Sequence, residues 1–137
     1  MTPTPEASDV QEAILLVDAD VVVRHAIAED LRLCGYAVIE AATSDEAVTV
    51  LSDGQIRIDA VLCDVAIAGT LSGFELCIWV KENRRGLNFI LSGSVPAAAG
   101  AAAELCEQGP QLARPYDPDS VVEHIKNLLA KGETGRP

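Results

Sequence analysis

The sequence predicts an α/β domain in which five strands of a parallel sheet alternate with five helices. Three observations carry that expectation. Short, continuously apolar runs such as Ala13-Ile14-Leu15-Leu16-Val17 have strand length and lack polar alternation, as strands buried on both faces require. Longer segments between them carry apolar residues at helical spacing. The two kinds alternate along the chain, the pattern of βαβ units on one parallel sheet.

The first strand, Ala13 to Val17, runs into the acidic cluster Asp18-Ala19-Asp20. A helix follows from about Val21 to Cys34, with Val23, Ile27, Leu31 and Cys34 along one face. Asp20 is placed to cap it, and Gly35 can stop it in a left-handed conformation. Tyr36 to Glu40 forms a second short strand. Thr43-Ser44-Asp45-Glu46 opens the next helix as a capping box, in which the Thr43 hydroxyl and the Glu46 carboxylate each satisfy a free amide. Ala47, Val50 and Leu51 form its apolar face, and Gly54 is expected to stop it.

Ile58 to Cys63 is the third strand and runs straight into Asp64. A loop of small residues leads to a second capping box, Ser72 with Glu75, at the head of a helix carrying Phe74, Cys77, Ile78 and Trp79. Leu87 to Leu91 is the fourth strand and ends at Ser92-Gly93. The first, third and fourth strands have the most continuous apolar runs and should be the buried ones. Pro96 suits the first turn of a helix that continues through the alanine run to Glu107. Pro110 to Ala113 supplies a short fifth strand at the sheet edge, because proline cannot donate to a central ladder. Asp117-Pro118 caps the last helix, with the stripe Val121, Val122, Ile125, Leu128 and Leu129 and with Lys126 and Lys131 toward its end. Residues 1–12 and 132–137 read as flexible tails around one domain at 13–131.

The chain has 137 residues, 10 Lys and Arg against 21 Asp and Glu, and a formal net charge of −11. That balance argues against binding a nucleic acid backbone or an anionic membrane surface. No apolar run approaches the roughly 20 residues that span a bilayer, and the N-terminus lacks the pattern of a secretion signal. A cytoplasmic protein is the expectation. Cys34, Cys63, Cys77 and Cys106 show no metal-binding spacing and read as free thiols used as small apolar residues. His25 and His124 fall on helices and read as surface residues.

In an open parallel sheet, ligands bind beyond the carboxyl ends of the strands. Those ends offer Asp18 and Asp20, then Asp64, Ser92 and Arg114-Pro115. Three carboxylates brought together repel one another unless a cation joins them, and a hard cation such as Mg²⁺ suits oxygen ligands.

These residues in this order resemble the receiver domain of two-component response regulators, across nearly the whole chain between the tails. Ile14 to Asp20 with Arg24 is similar to the family's opening strand, acidic cluster and helix, and Asp59 to Asp64 to its phosphoacceptor strand. Ser72-Gly73-Phe74-Glu75-Leu76 resembles the helix start that follows. Leu91-Ser92-Gly93 resembles the strand carrying the hydroxyl switch residue, and Ala113-Arg114-Pro115-Tyr116 sits where the family has Lys-Pro-Phe or Lys-Pro-Tyr.

The resemblance implies a flavodoxin-like, doubly wound sheet in the order 2-1-3-4-5. It implies that Asp64 accepts a phosphoryl group from a histidine kinase or phosphotransfer protein. Asp18, Asp20, Asp64 and the Ala66 carbonyl would hold Mg²⁺, and Ser92 and Arg114 would bind the phosphoryl group. Ser92 would swing toward it and shift the surface of the fourth helix, fifth strand and last helix. The output would be contact with a downstream protein target, and that same surface is open to homodimer formation. The Arg114–Pro115 bond would be cis, which in an X–Pro pair costs only about 0.5–1 kcal/mol.

The departures bear on the same roles. Ala19 occupies the family's second acidic position, and losing a charged ligand costs roughly 1–3 kcal/mol of metal binding. Arg114 replaces a lysine, exchanging a compact ammonium for a planar fork. Gln111 stands where an aromatic switch residue is common. The loop from Asp64 to Gly73 is one residue longer than the common form and lacks its usual proline. A degenerate receiver that binds a partner without phosphorylation is therefore the alternative. An independent phosphatase with an aspartate nucleophile would want a second general acid two residues on, where Ala66 stands instead. The chain is not expected to be an enzyme.

Overall fold

A computed structural model describes residues 11–108 and 117–134, the last four by backbone alone. The described elements are strand β1 (Ala13–Val17), helix α1 (Val21–Leu33), β2 (Ala37–Ala41), α2 (Ser44–Ser52), β3 (Ala60–Asp64), α3 (Gly73–Asn83), β4 (Asn88–Ser92), α4 (Val95–Gln108) and α5 (Pro118–Thr134). The described strands form one parallel sheet in the order β2-β1-β3-β4. The fifth strand expected at 110–113, Gln111, and Arg114 with its expected cis bond lie outside the described residues.

Alternation along the strands divides the core into two layers, since successive side chains leave a strand on opposite faces. Ile14, Leu16, Ala60 and Leu62 pack with Ile27 and Leu31 of α1, the small side chains of α4 and Ile125 of α5. Leu15, Val17, Val61 and Cys63 pack on the other face with Ala47 and Leu51 of α2, Ile67, and Leu76 and Val80 of α3. β1 is buried throughout and β3 up to Asp64. β4 is half-buried over Phe89 to Leu91, less than its apolar run suggested, because no strand covers its outer side among the described residues.

Several local signals act as the sequence suggests. Asp20 accepts from the amides of Val22 and Val23 at the head of α1, and Gly35 leaves that helix with φ of 100°. Thr43 caps α2, while Glu46 reaches the Ala42 amide, one residue beyond the cap. The Ser72–Glu75 capping box is complete, with both hydrogen bonds formed. His25 and His124 are exposed. Gly54 does not stop α2: that helix ends at Asp53 in extended backbone, without a left-handed residue.

The reading of all four cysteines as free thiols is corrected. Cys34, capping α1, and Cys106, in the last turns of α4, form a disulfide with Cα atoms 5.5 Å apart. Both lie on the apolar faces that meet in the first core layer, which is why they read as small apolar residues. Cys63 and Cys77 are free.

Candidate functional site

The carboxyl ends of β1 and β3, the end of β4 and the head of α4 surround a cleft of about 230 Å³. It is lined by Asp18, Asp20, Val23, Asp64, Ala66, Ser92, Gly93, Ser94 and Val95. The described members of the expected site, Asp18, Asp20, Asp64, Ala66 and Ser92, are all in this lining.

Sheet register makes the central pair. Asp64 and Ser92, the last residues of β3 and β4, are direct partners in the parallel ladder. The Val65 amide donates to the Ser92 carbonyl at 2.9 Å, carrying the pairing one residue past Asp64. The Ser92 side chain is buried and that of Asp64 is partly open to the cleft.

The β1–α1 turn presents the other acids. The Asp18 amide donates to the Ala41 carbonyl at 3.0 Å, and Asp18 Oδ1 accepts from the Asp20 amide at 2.9 Å. Arg24 closes the turn from behind: its Nη1 donates to the Asp18 carbonyl at 2.8 Å and its Nε to Glu40 Oε1 at 3.0 Å. Glu40 also accepts from Arg32 and faces His25, and although burial pushes its carboxyl up, these hydrogen bonds outweigh burial and hold it below the ordinary glutamate value. Asp20 lines the cleft while its Oδ1 is engaged in the α1 cap.

Asp18 is buried, at 8% exposure, and its carboxyl is raised above the ordinary aspartate value. Burial is the largest cause; the Asp20 amide opposes it, and the charges of Asp64 and Asp20 add to it. The cleft is therefore a place of excess negative charge. The residues that could hold a cation there are Asp18 and Asp64, through their carboxylates, and Ala66, through its backbone oxygen, all hard oxygen ligands. Among the described residues no group of three or more His, Cys, Asp or Glu is placed to hold an ion. Two carboxylates still fit Mg²⁺, which keeps several waters and is commonly bound through one or two carboxylates. Cys63, beside Asp64, is no rival nucleophile: burial, then the charges of Asp64 and Asp18, pushes its thiol up to about 12.

Three features of the cleft were not singled out from sequence. Val23 and Val95 give it apolar walls. Ser94 caps α4, its Oγ accepting from the Ala97 amide at 3.2 Å, and a serine two residues before Pro96 is the signal that could have found it. Ser44 and Asp45 bind the loop that carries Ala66, and no local pattern points to that contact.

Known proteins share this fold. The response regulator receiver domain family matches residues 14–126. Transcriptional regulatory protein ResD of Bacillus subtilis (strain 168) is 26% identical over 118 residues, covering 86% of this chain and 48% of ResD. The chain spans about half the length of that curated relative, and less of others. A CheY-like response regulator receiver domain protein from Methanospirillum hungatei JF-1 superposes with a TM-score of 0.57 at 22% identity, covering 93% of this chain and all of that one (100%). Chemotaxis response regulator CheY4 of Vibrio cholerae gives 0.56 at 19% identity, covering 86% and 98%. At such identities these structures speak for the fold alone. Among the described residues no helix is long and apolar enough to cross a membrane. With the family match extending from the first strand into the last helix, the chain belongs to the response regulator receiver domains of two-component systems.

Proposed function

We propose that this receiver, over residues 13–131, accepts a phosphoryl group on Asp64 from a phosphohistidine of a histidine kinase or phosphotransfer protein. The observation that carries the reading is the pairing of Asp64 with Ser92 at adjacent strand ends, in one cleft with the buried Asp18. A carboxylate oxygen of Asp64 attacks phosphorus while the phosphorus–nitrogen bond breaks. The electron pair stays on the imidazole, which regains its proton from solvent, and an aspartyl phosphate remains.

Positioning supplies most of the catalysis in such a transfer. Asp64 ends β3 at the cleft, and Ser92, its partner in the ladder, would meet a phosphoryl oxygen with its hydroxyl. Arg114, which follows α4 in the sequence, would supply a cation for the same group. Asp18, Asp64, the Ala66 carbonyl and, beyond its cap, Asp20 would hold Mg²⁺, which when bound offsets the charge of the carboxylates and the phosphoryl oxygens. In this reading the signal leaves by contact with a downstream protein or a second copy, at a surface that includes α4 and α5. No part of the reading calls for nucleic acid or membrane binding, and it places the protein in the cytoplasm.

One observation favours a second reading, in which the receiver binds a partner without phosphorylation. Ala19 stands where the family commonly has a further acid, and among the described residues no group of three or more His, Cys, Asp or Glu is placed to hold an ion. Incubation with Mg²⁺ and a small phosphodonor, followed by intact mass, separates the two. The wild type should gain one phosphoryl mass and Asp64→Asn none. Ala19→Asp should lower the Mg²⁺ needed by about tenfold, for an effect near 1.4 kcal/mol. Failure of both the wild type and Ala19→Asp to label, under conditions that label an ordinary receiver, would leave the partner-binding reading in its place.

A further inference from the structure

The β3–α3 loop, Val65 to Ser72, is one residue longer than the common receiver form, yet it is tied down along its length. At its start the Val65 amide is bonded to the Ser92 carbonyl of β4. From the other side the head of α2 reaches it three times. The Ser44 amide donates to the Ala68 carbonyl at 2.9 Å, Ser44 Oγ accepts from the Leu71 amide at 2.9 Å, and Asp45 Oδ2 accepts from the Thr70 amide at 3.0 Å. Thr43 and Ala68 form an isolated parallel bridge beside these bonds.

Ser44 is fully buried, at 0% exposure, so its hydroxyl must find its partner inside the protein. Gly69 makes the approach feasible. Its φ of +118° is a conformation that side chains rarely adopt, and a Cβ there would collide with Ser44 Oγ and stand 2.9 Å from Asp45 Oδ2. Hydrogen bonds from Thr70 also hold the Asp45 carboxyl below the ordinary aspartate value. Ala66 and the buried Ile67 are thus strung between two fixed points, Val65 on β4 and Ala68 on α2, and Ala66 lines the cleft.

We propose that Ser44 and Asp45 are positioning residues for the cleft, latching the lengthened loop to α2 so that Ala66 keeps its place in the cleft wall. The proposal rests on the phosphoacceptor reading, because only a cleft that holds a cation and a phosphoryl group needs Ala66 fixed. The physical logic is that of outer partners that orient a ligand: loosening them weakens binding even though they touch nothing bound. A longer loop has more conformations to lose, and three side-chain and backbone bonds to a helix head remove them before anything binds.

The test is a Mg²⁺ titration of the ¹⁵N-labelled full chain, followed by the amide shifts of Val65, Ala66 and Ser92, with amide exchange measured at Thr70 and Leu71. Ser44→Ala should expose the Leu71 amide to exchange and raise the half-saturating Mg²⁺ concentration by about tenfold. Gly69→Ala should act in the same direction. Asp45 is exposed, so Asp45→Ala covers the case in which the buried Ser44 variant does not fold. It should release Thr70 and raise the Mg²⁺ requirement, and Asp45→Asn, which keeps an acceptor oxygen, should restore both. Variants that lose amide protection but titrate like the wild type would show that the latch holds the loop and nothing more. Failure of Asp45→Asn to rescue would also overturn the proposal. A wild type whose cleft amides ignore Mg²⁺ would instead remove the phosphoacceptor reading beneath it.

Discussion

The two faces of the sheet are covered by helices held in different ways. On one face α1, α4 and α5 meet, and α4 contributes mostly alanine: Ala98, Ala99, Ala102 and Ala103 are its buried small residues beside Leu105 and Cys106. A methyl group removes little apolar surface from water, so this helix gains less from burial than one carrying Leu or Ile. The far end of α4 is fastened instead by the Cys34–Cys106 disulfide and by the Tyr36 hydroxyl, which donates to the Leu105 carbonyl. On the other face α2 and α3 bury Leu51, Leu76 and Val80, and their heads are held by Thr43, Ser44 and the Ser72–Glu75 box. The difference teaches where a helix poor in large side chains gets its fixity. The first layer adds a covalent tie at the end away from the cleft to its caps at Asp20 and Ser94, whereas the other rests on larger packed side chains and the polar caps next to the cleft.

Breaking the covalent tie should have the largest effect. The disulfide joins residues 72 apart in sequence, and by the chain-entropy relation a loop of that size contributes about 4 kcal/mol. Cys106→Ser should cost about that much in urea unfolding, with loss of amide protection concentrated in α4 and α1. Equal loss in α2 and α3 would show that the layers do not differ as described. On the opposite face Leu76→Ala removes a fully buried side chain and should cost about 3 kcal/mol, with the loss centred on α3. The same measurement without a change in the disulfide-bonded layer would sharpen the contrast.

Smaller still is the cap. Ser72→Ala removes one half of the capping box and should cost about 1 kcal/mol, read as faster exchange of the Glu75 amide. An unchanged Glu75 amide would mean that packing alone holds the head of α3. The smallest effect falls at Asp18, at the seam between the layers. Its folded carboxyl is raised, by burial first and then against its acidic neighbours. Such a group favours folding while protonated: its contribution is complete below the unfolded value, near about pH 4, and is lost as pH rises through the raised folded value. Asp18→Asn should therefore flatten the fall in stability above about pH 4 and leave the protein slightly more stable at neutral pH. A variant less stable than the wild type at neutral pH would show that the ionised Asp18 is compensated in the fold.

Much of this protein was legible in the sequence because the signals are local. The apolar run Ala13 to Val17, the helical spacing of Val23, Ile27 and Leu31, the cap at Asp20 and the box from Ser72 to Glu75 act over one to four residues. Neighbouring positions therefore contain all the information, and the acids at the ends of the first and third strands followed from those boundaries. What only the tertiary structure decided were contacts whose partners are far apart along the chain. Cys34 and Cys106 each looked like a small apolar residue on a helix face, since nothing near either one marks the other. Ser44 looked like the second residue of a helix head, yet its hydroxyl serves Leu71, 27 residues away. Asp64 stood out in sequence as an acid directly after an apolar strand, but its partnership with Ser92 comes from the register of β3 against β4. Local backbone preference determines which elements form; which side chains then meet depends on how those elements pack, and that is set by the whole core at once.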